Sequence, residues 1–353
     1  MNIRIPETIN WAQANTKQRT AAIRRPPLPE LDIAQDVAAI ITQIREEGDD
    51  ALRRLTRKFD KVELDQLEVS ASEWAAAESA VDKEVLQAID DAIARIDSFH
   101  RAGMPGPVSI ETAPGVRCEA RYLPISPVGL YVPGGTAPLV STVLMLAVPA
   151  RIAGCKDIIL CTPPDREGRV PAAILAAAAR CGVKRVFKAG GAQAIAAMGV
   201  GTQSIPGCAK LFGPGNAWVT EAKQQIAAMP GGAARDMPAG PSEVVVIADA
   251  DADPVAVCWD LLSQAEHGPD SQSIVISDDQ RLLDQIGDLL VDMAAGLPRA
   301  AILAESLRYL RRIRVDSISR AVEISNFYAP EHLILNCREP ERVADAVTAA
   351  GSV

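Results

Sequence analysis

The sequence predicts an α/β protein with two open, mainly parallel sheets behind a helical N-terminal stretch. Apolar residues in the first hundred positions recur at helical spacing. Beyond residue 106, strand-like runs alternate with helix-like ones, which implies βαβ units and a parallel sheet. Two strand–helix–strand passes, Val128 to Cys161 and Val244 to Ser277, are equal in length, as two similar domains would be. The expected organisation is a mainly helical region over 1–105, a first α/β domain over 106–235 and a second over 236–353. In this reading the N-terminal helices are free to pack into the second domain.

Taken in order, Ile33, Val37, Ile40, Ile41 and Ile44 mark a helix, and Gly48-Asp49-Asp50 separates it from a second over 51–59. Ser72 is placed to cap a helix over 73–80, and Asp82 to open a longer one toward Phe99. His100, without an evident partner, reads as a surface residue at a helix end. Gly103-Met104-Pro105-Gly106-Pro107 is a breaker. Strands are expected over 128–132, 157–161 and 185–188, with helices over 139–153, 172–181 and after Gly190-Gly191. The second pass has strands over 244–248 and 273–277 around a helix over 254–266. After Leu310 a strand, a helix and Leu333-Ile334-Leu335 continue the alternation.

Hydrophobic residues make up 48% of the 353 and charged residues 23%, an ordinary balance for a globular protein with ample core. A formal charge of −9 argues against nonspecific binding to nucleic acid or anionic membranes. It leaves room for anionic cofactors, because backbone amides at helix N-termini bind phosphate without net positive charge. The N-terminus has no apolar h-region, and the apolar stretch over 139–150 is too short to span a bilayer. The seven cysteines form no C-x-x-C pair and read as reduced, buried thiols of a cytoplasmic protein. The alternative, a thiol nucleophile, lacks an adjacent histidine.

Only three histidines occur, and two stand beside carboxylates, at Glu266-His267 and Glu331-His332. Imidazole beside carboxylate is the chemistry of zinc ligation and of proton transfer near neutral pH. Gln264 and His267 are three apart at a helix end, so both can reach one ion, although helix-end capping by His267 reads equally from the spacing. Glu331 and His332 point to opposite faces of an extended segment and need a bend to serve one site, which Pro330 can supply. The rings at 267 and 332 are expected to share a pocket.

Three glycine turns follow expected strands: Gly134-Gly135 after Tyr131, Gly190-Gly191 before Gln193, and Gly213-Pro214-Gly215 before Asn216. Such turns let a ligand approach the backbone at the carboxyl edge of a sheet, or simply pack a helix on it. None is G-x-G-x-x-G. Asn216 is a helix cap or a ligand contact. The rigid loop Asp236-Met237-Pro238-Ala239-Gly240-Pro241 offers Ser242 to a substrate, or uses it as a structural cap.

These strings together are family-specific. Y-V-P-G-G-T-A-P-L-x-S-T-V-L-M-L, G-G-A-Q-A-I-A-A, F-G-P-G-N, D-M-P-A-G-P-S-E-V, S-Q-A-E-H-G-P-D-S-Q and P-E-H-L closely resemble histidinol dehydrogenase, in order along the whole chain. The resemblance implies two incomplete Rossmann-like domains in a cytoplasmic homodimer, with NAD and one zinc ion per site. It implies oxidation of L-histidinol to L-histidine in two NAD-dependent steps, the last of histidine biosynthesis. By the same resemblance Tyr131, Gln193 and Asn216 contact NAD. Ser242, Gln264, His267 and His332 contact substrate. Gln264 and His267 ligate zinc, and Glu331 and His332 carry the acid–base work.

Members of that family continue beyond the position of Val353 into a segment with an Asp and a His that complete the zinc set. A further His and Glu of the site lie there too. The expectation is therefore weak zinc binding, slow turnover and a weakened dimer for the chain as it stands. The competing readings are an inactive homologue that keeps the α/β frame and NAD binding, and a metal-free dehydrogenase of another small alcohol.

Overall fold

A computed structural model describes residues 3–27, 32–134, 138–237 and 242–353. The chain divides into two compact units, one formed by residues 31–239 and the other by residues 1–30 with 240–353. The chain starts in the second of these with a short strand β1 (Ile9–Asn10) and helix α1 (Thr16–Ala22), where Asn15 and Gln18 form a reciprocal capping box.

The unit over 31–239 begins with α2 (Ala34–Glu47), α3 (Asp49–Phe59), α4 (Ala71–Ala77) and α5 (Lys83–Ala102). Gly48 breaks α2 from α3 with φ +59°, as the sequence implies. Ser70, rather than the expected Ser72, caps α4. Its Oγ accepts from the Glu73 N–H while the Glu73 carboxylate accepts from the Ser70 N–H at 2.9 Å. Only from Ser70 does Glu73 occupy the third helical position, so the earlier serine gains two hydrogen bonds.

An antiparallel hairpin follows, β2 (Val108–Ala113) and β3 (Val116–Ala120), with every residue exposed. It was not expected, although Val108, Ile110, Val116 and Cys118 alternate with polar residues around Pro114-Gly115.

The core sheet of this unit comes from β4 (Val128–Tyr131), α6 (Val140–Ile152), β5 (Ile158–Thr162), α7 (Ala172–Arg180), β6 (Arg185–Lys188) and α8 (Gly191–Val200). It is completed by β7 (Lys210–Phe212), α9 (Ala217–Ala228) and β8 (Ala234–Arg235). All neighbours are parallel, in the order β6-β5-β4-β7-β8. Strand order thus runs 3-2-1-4-5, the doubly wound order, and it reverses direction between β4 and β7.

The expected break at residue 105 does not separate two units. Val37, Ile40, Ile41 and Ile44 of α2 share a core with Ile195 and Met198 of α8 and Ile226 of α9. Ile89 of α5 packs with Leu144 and Leu175. The helices over 34–102 therefore belong to the first sheet and not to the second. Their apolar stripes are what cover its faces.

The other unit adds β9 (Glu243–Ala248), α10 (Pro254–Ala265), β10 (Gln272–Ser277), α11 (Gln280–Ala295), α12 (Ala300–Ser306), β11 (Arg311–Arg314), α13 (Ile318–Tyr328), β12 (His332–Asn336) and α14 (Pro340–Ala344). Its parallel sheet is ordered β1-β11-β10-β9-β12. Leaving β1 aside, this again reads 3-2-1-4. Ile9 pairs with Ile313 and Ile3 enters the core beside Leu303, which fixes the first residues of the chain to this unit. Every residue of β9 and β10 is buried, as central parallel strands require. Each Val or Ile so buried contributes about 1.5–3 kcal/mol.

Candidate functional site

In the first unit, the glycine turns leave the carboxyl ends of β4, β6 and β7. Gly135, Thr136 and Ala137 of the first turn lie outside the described residues. Tyr131, the last residue of β4, is buried, and its hydroxyl accepts from the Gly191 N–H at 2.9 Å. It therefore sits on the N-terminus of α8. Burial pushes its phenol up to about 12, so it stays protonated and keeps one O–H to donate. Gln193, one turn into α8, is buried as well, and its Nε2 donates to Asp60 Oδ2 at 3.4 Å. Asn216 caps α9: its Oδ1 accepts from the Trp218 and Val219 N–H groups at 3.1 and 3.2 Å. Its Nδ2 has no partner among the described residues, so the structure shows the cap and leaves a donor over.

The turn before Asn216 is held closely. Gly213 has φ +129°, and a Cβ there would lie 2.1 Å from the Tyr131 carbonyl oxygen, so no side chain fits where β4 and β7 part. The Gly213 N–H donates to Asp236 Oδ2 at 2.8 Å. Lys223, buried in α9, donates to both Asp236 oxygens at 2.7 and 2.9 Å and to the Gly213 carbonyl. Burial lowers the Lys223 pKa, and Asp236 opposes that shift. Tyr131, Gln193 and Asn216 thus share one edge of the sheet, the edge at which open α/β sheets bind nucleotides.

In the second unit, the named residues gather at the opposite kind of edge. Ser242 immediately precedes β9, His267 lies in the loop before β10, and His332 begins β12. All three are at the amino ends of adjacent parallel strands. The carboxyl edge of this sheet has a crevice of about 790 Å³ among Asp249, Asp278, Asp316 and Arg338, and none of the expected residues lines it. Pro238 to Pro241, the rigid loop before Ser242, lie outside the described residues.

The bend that the Glu331-His332 pair needs is present. Tyr328 ends α13, and Ala329 turns the chain in a left-handed conformation with φ +53° and ψ 68°. Glu331 Oε2 then accepts from the Glu243 N–H at 3.2 Å, and Glu331 Oε1 lies 3.8 Å from His332 Nε2. His332 Nδ1 shares a hydrogen bond with Ser352 Oγ at 2.7 Å. Both side chains are about half exposed, open to a substrate. His332 pairs in register with Val244, which fixes its backbone in the sheet.

Gln264 is buried in the last turn of α10, with no side-chain hydrogen bond among the described residues, and His267 is exposed one residue past the helix cap. The His267 N–H donates to the Gln264 carbonyl at 3.2 Å. A largely buried glutamine three residues before an exposed imidazole suits a pair of metal donors. No group of three or more His, Cys, Asp or Glu placed to hold a metal occurs among the described residues. The two donors fit half of a tetrahedral zinc set.

Several site-building residues escaped the sequence reading. Asp60, at the end of α3, is pushed up to about 6 by burial. Lys223 and Arg25 act through contacts remote in sequence, with Arg25 paired to Glu243. No local pattern flags them. Among the cysteines, Cys161, Cys181, Cys208 and Cys258 are buried as expected, Cys155 and Cys337 are partly so, and Cys118 on the hairpin is exposed. Burial raises Cys208 and Cys258 to about 12, so neither is a ready thiolate. No described helix is long and apolar enough to cross a membrane.

A doubly wound sheet with ligand-accessible turns, and a second sheet carrying a carboxylate–imidazole pair, are the parts of a nucleotide-dependent α/β oxidoreductase. The histidinol dehydrogenase family model matches residues 23–353. Histidinol dehydrogenases of Xanthomonas euvesicatoria and Xylella fastidiosa are 56% and 52% identical over 98% of this chain and 80% of their own lengths. The crystal structure of histidinol dehydrogenase from Elizabethkingia anophelis superposes with a TM-score of 0.95 at 45% identity, covering 100% of this chain and 80% of that one. The chain belongs to the histidinol dehydrogenase family, NAD- and zinc-dependent oxidoreductases of histidine biosynthesis that act on L-histidinol. Identity of this extent does not favour the reading of an inactive homologue.

Proposed function

We propose that this chain oxidises L-histidinol to L-histidine, with water and two NAD as co-reactants and two NADH as products. The observation that carries the reading is the turn at Ala329 that presents Glu331 and His332 side by side at the start of β12. His332 takes the alcohol proton as hydride leaves for the nicotinamide. The aldehyde is then hydrated, with Glu331 as base for the attacking water, and a second hydride transfer to fresh NAD gives the carboxylate. The hydrogen bond from the Glu243 N–H holds the Glu331 carboxylate ready for that role.

Tyr131, Gln193 and Asn216 bind NAD in this scheme, at the carboxyl edge of the first sheet. Ser242, Gln264, His267 and His332 bind the amino alcohol. Gln264 and His267 would hold zinc, which supplies orientation of the substrate amine and imidazole when bound. The chain works as a homodimer in the cytoplasm. Purified protein with zinc, L-histidinol and NAD is expected to form two NADH for each L-histidine. Absence of NADH under those conditions, or full turnover by His332→Asn, overturns the reading.

A further inference from the structure

Arg25 stands 303 residues from Tyr328 in sequence and beside it in space. Its Nε and Nη2 grip the Glu243 carboxylate, the second contact at 3.0 Å. The same Nη2 donates to the carbonyls of Tyr328 and Ala329 at 3.0 and 3.2 Å, the two residues at which α13 ends and the chain turns. The guanidinium plane lies over the Tyr328 ring at 4.4 Å. Tyr328 in turn donates its hydroxyl to Gln272 Oε1 at 2.9 Å, at the start of β10. The Glu243 carboxylate is almost wholly buried, whereas Arg25 is partly open to solvent.

Each contact has a local rationale: a cation at a helix C-terminus, and a counter-ion for a buried carboxylate. Their combination does more. The backbone N–H of the same Glu243 donates to Glu331 Oε2. One fork of donors thereby ties the first residue of β9 to the left-handed turn from which Glu331 and His332 emerge. A planar guanidinium can serve a carboxylate and two carbonyls at once, which an ammonium cannot. We infer that Arg25 is a positioning residue for the acid–base pair: with Glu243 it fixes the Ala329 turn and so the direction of the Glu331 carboxylate and the His332 ring. This inference rests on the assignment of acid–base work to Glu331 and His332.

The test is a double-mutant cycle in the zinc-loaded enzyme with Arg25→Met, Arg25→Lys and Glu331→Gln. Arg25→Met leaves the Glu243 charge buried and can destabilise the fold, so a charge-neutral pair, Arg25→Met with Glu243→Gln, is measured beside it. In both, kcat is expected to fall roughly ten- to a hundredfold, as small misplacements of catalytic groups do, while the dissociation constant for NAD stays put. Arg25→Lys is expected not to restore kcat. In the Glu331→Gln background the Arg25 substitution should add less than it does alone, because the part of its effect that runs through the Glu331 carboxylate is already lost. A kcat near wild type in the charge-neutral pair, or an equal loss with and without the Glu331 carboxylate, overturns the inference. Should Glu331→Gln and His332→Asn themselves turn over normally, it is the functional reading that fails.

Discussion

At the scale of single residues, reactivity in this chain follows burial and hydrogen-bond partners more than residue type. His332 is half exposed, held at Nδ1 by Ser352, and set beside a carboxylate that is itself anchored. Replacing it with Asn should lower kcat by roughly 10²–10⁴-fold, the usual contribution of a positioned acid–base group, with little change in melting temperature. Steady-state kinetics paired with thermal unfolding check both halves of that expectation. Asp60 shows the converse, a carboxyl kept in an unfavourable place beside Gln193. An ordinary Asp titrates at 3.8, and burial lifts this one to about 6. The folded state therefore holds a proton that the unfolded chain has released between those values, and stability falls as pH rises through that window. Asp60→Asn should raise the melting temperature above pH 6 and leave it nearly unchanged below pH 4. An unaltered pH dependence of unfolding would contradict the assignment.

At the scale of elements, the turn between β7 and α9 shows how a sheet edge is braced. Lys223 and Asp236 hold it from within, one buried and the other partly so. Losing one member of such a pair strands the other, at about 3–5 kcal/mol for full burial. Lys223→Met should cost toward the lower end of that range in denaturant unfolding, because Asp236 retains some access to water. NAD affinity, followed by titration, should weaken in the same variant, since the Gly213 carbonyl loses its donor. Gly213→Ala should be harsher, because its φ of +129° and the Tyr131 carbonyl leave a methyl group nowhere to go. Helix and strand periods were legible at this scale: α10 and β6 fall where the residue pattern puts them, to within a residue. The hairpin over 108–120 escaped, because neither of its faces is buried and no apolar run announces it. The cap of α4 lies two residues before the expected one because two serines compete and only Ser70 forms the reciprocal box with Glu73.

At the scale of the whole molecule, each unit encloses its own core. Ile195, Met198 and Phe187 lie in one, and Leu261, Ile286 and Leu303 in the other. Buried thiols report on both: Cys161, Cys181 and Cys208 in the first, Cys258 in the second. Alkylation under native conditions should modify Cys118 first and spare those four. In rising denaturant, their loss of protection dates the opening of each unit. Rapid native labelling of Cys161 or Cys258 would show that the cores open more readily than their burial implies.

The sequence by itself determined the family and the alternation of strands and helices, and by resemblance it nominated the residues proposed to meet NAD, substrate and zinc. Those signals are local: short strings, glycine turns and hydrophobic period are written in consecutive residues. It did not determine which sheet the N-terminal helices cover, that α2 packs on α8 while β1 pairs with β11, or that Arg25 braces the turn before His332. Those matters were decided by tertiary structure alone. An apolar stripe or a guanidinium specifies what it must contact, but partners hundreds of residues away are chosen only when the chain closes on itself.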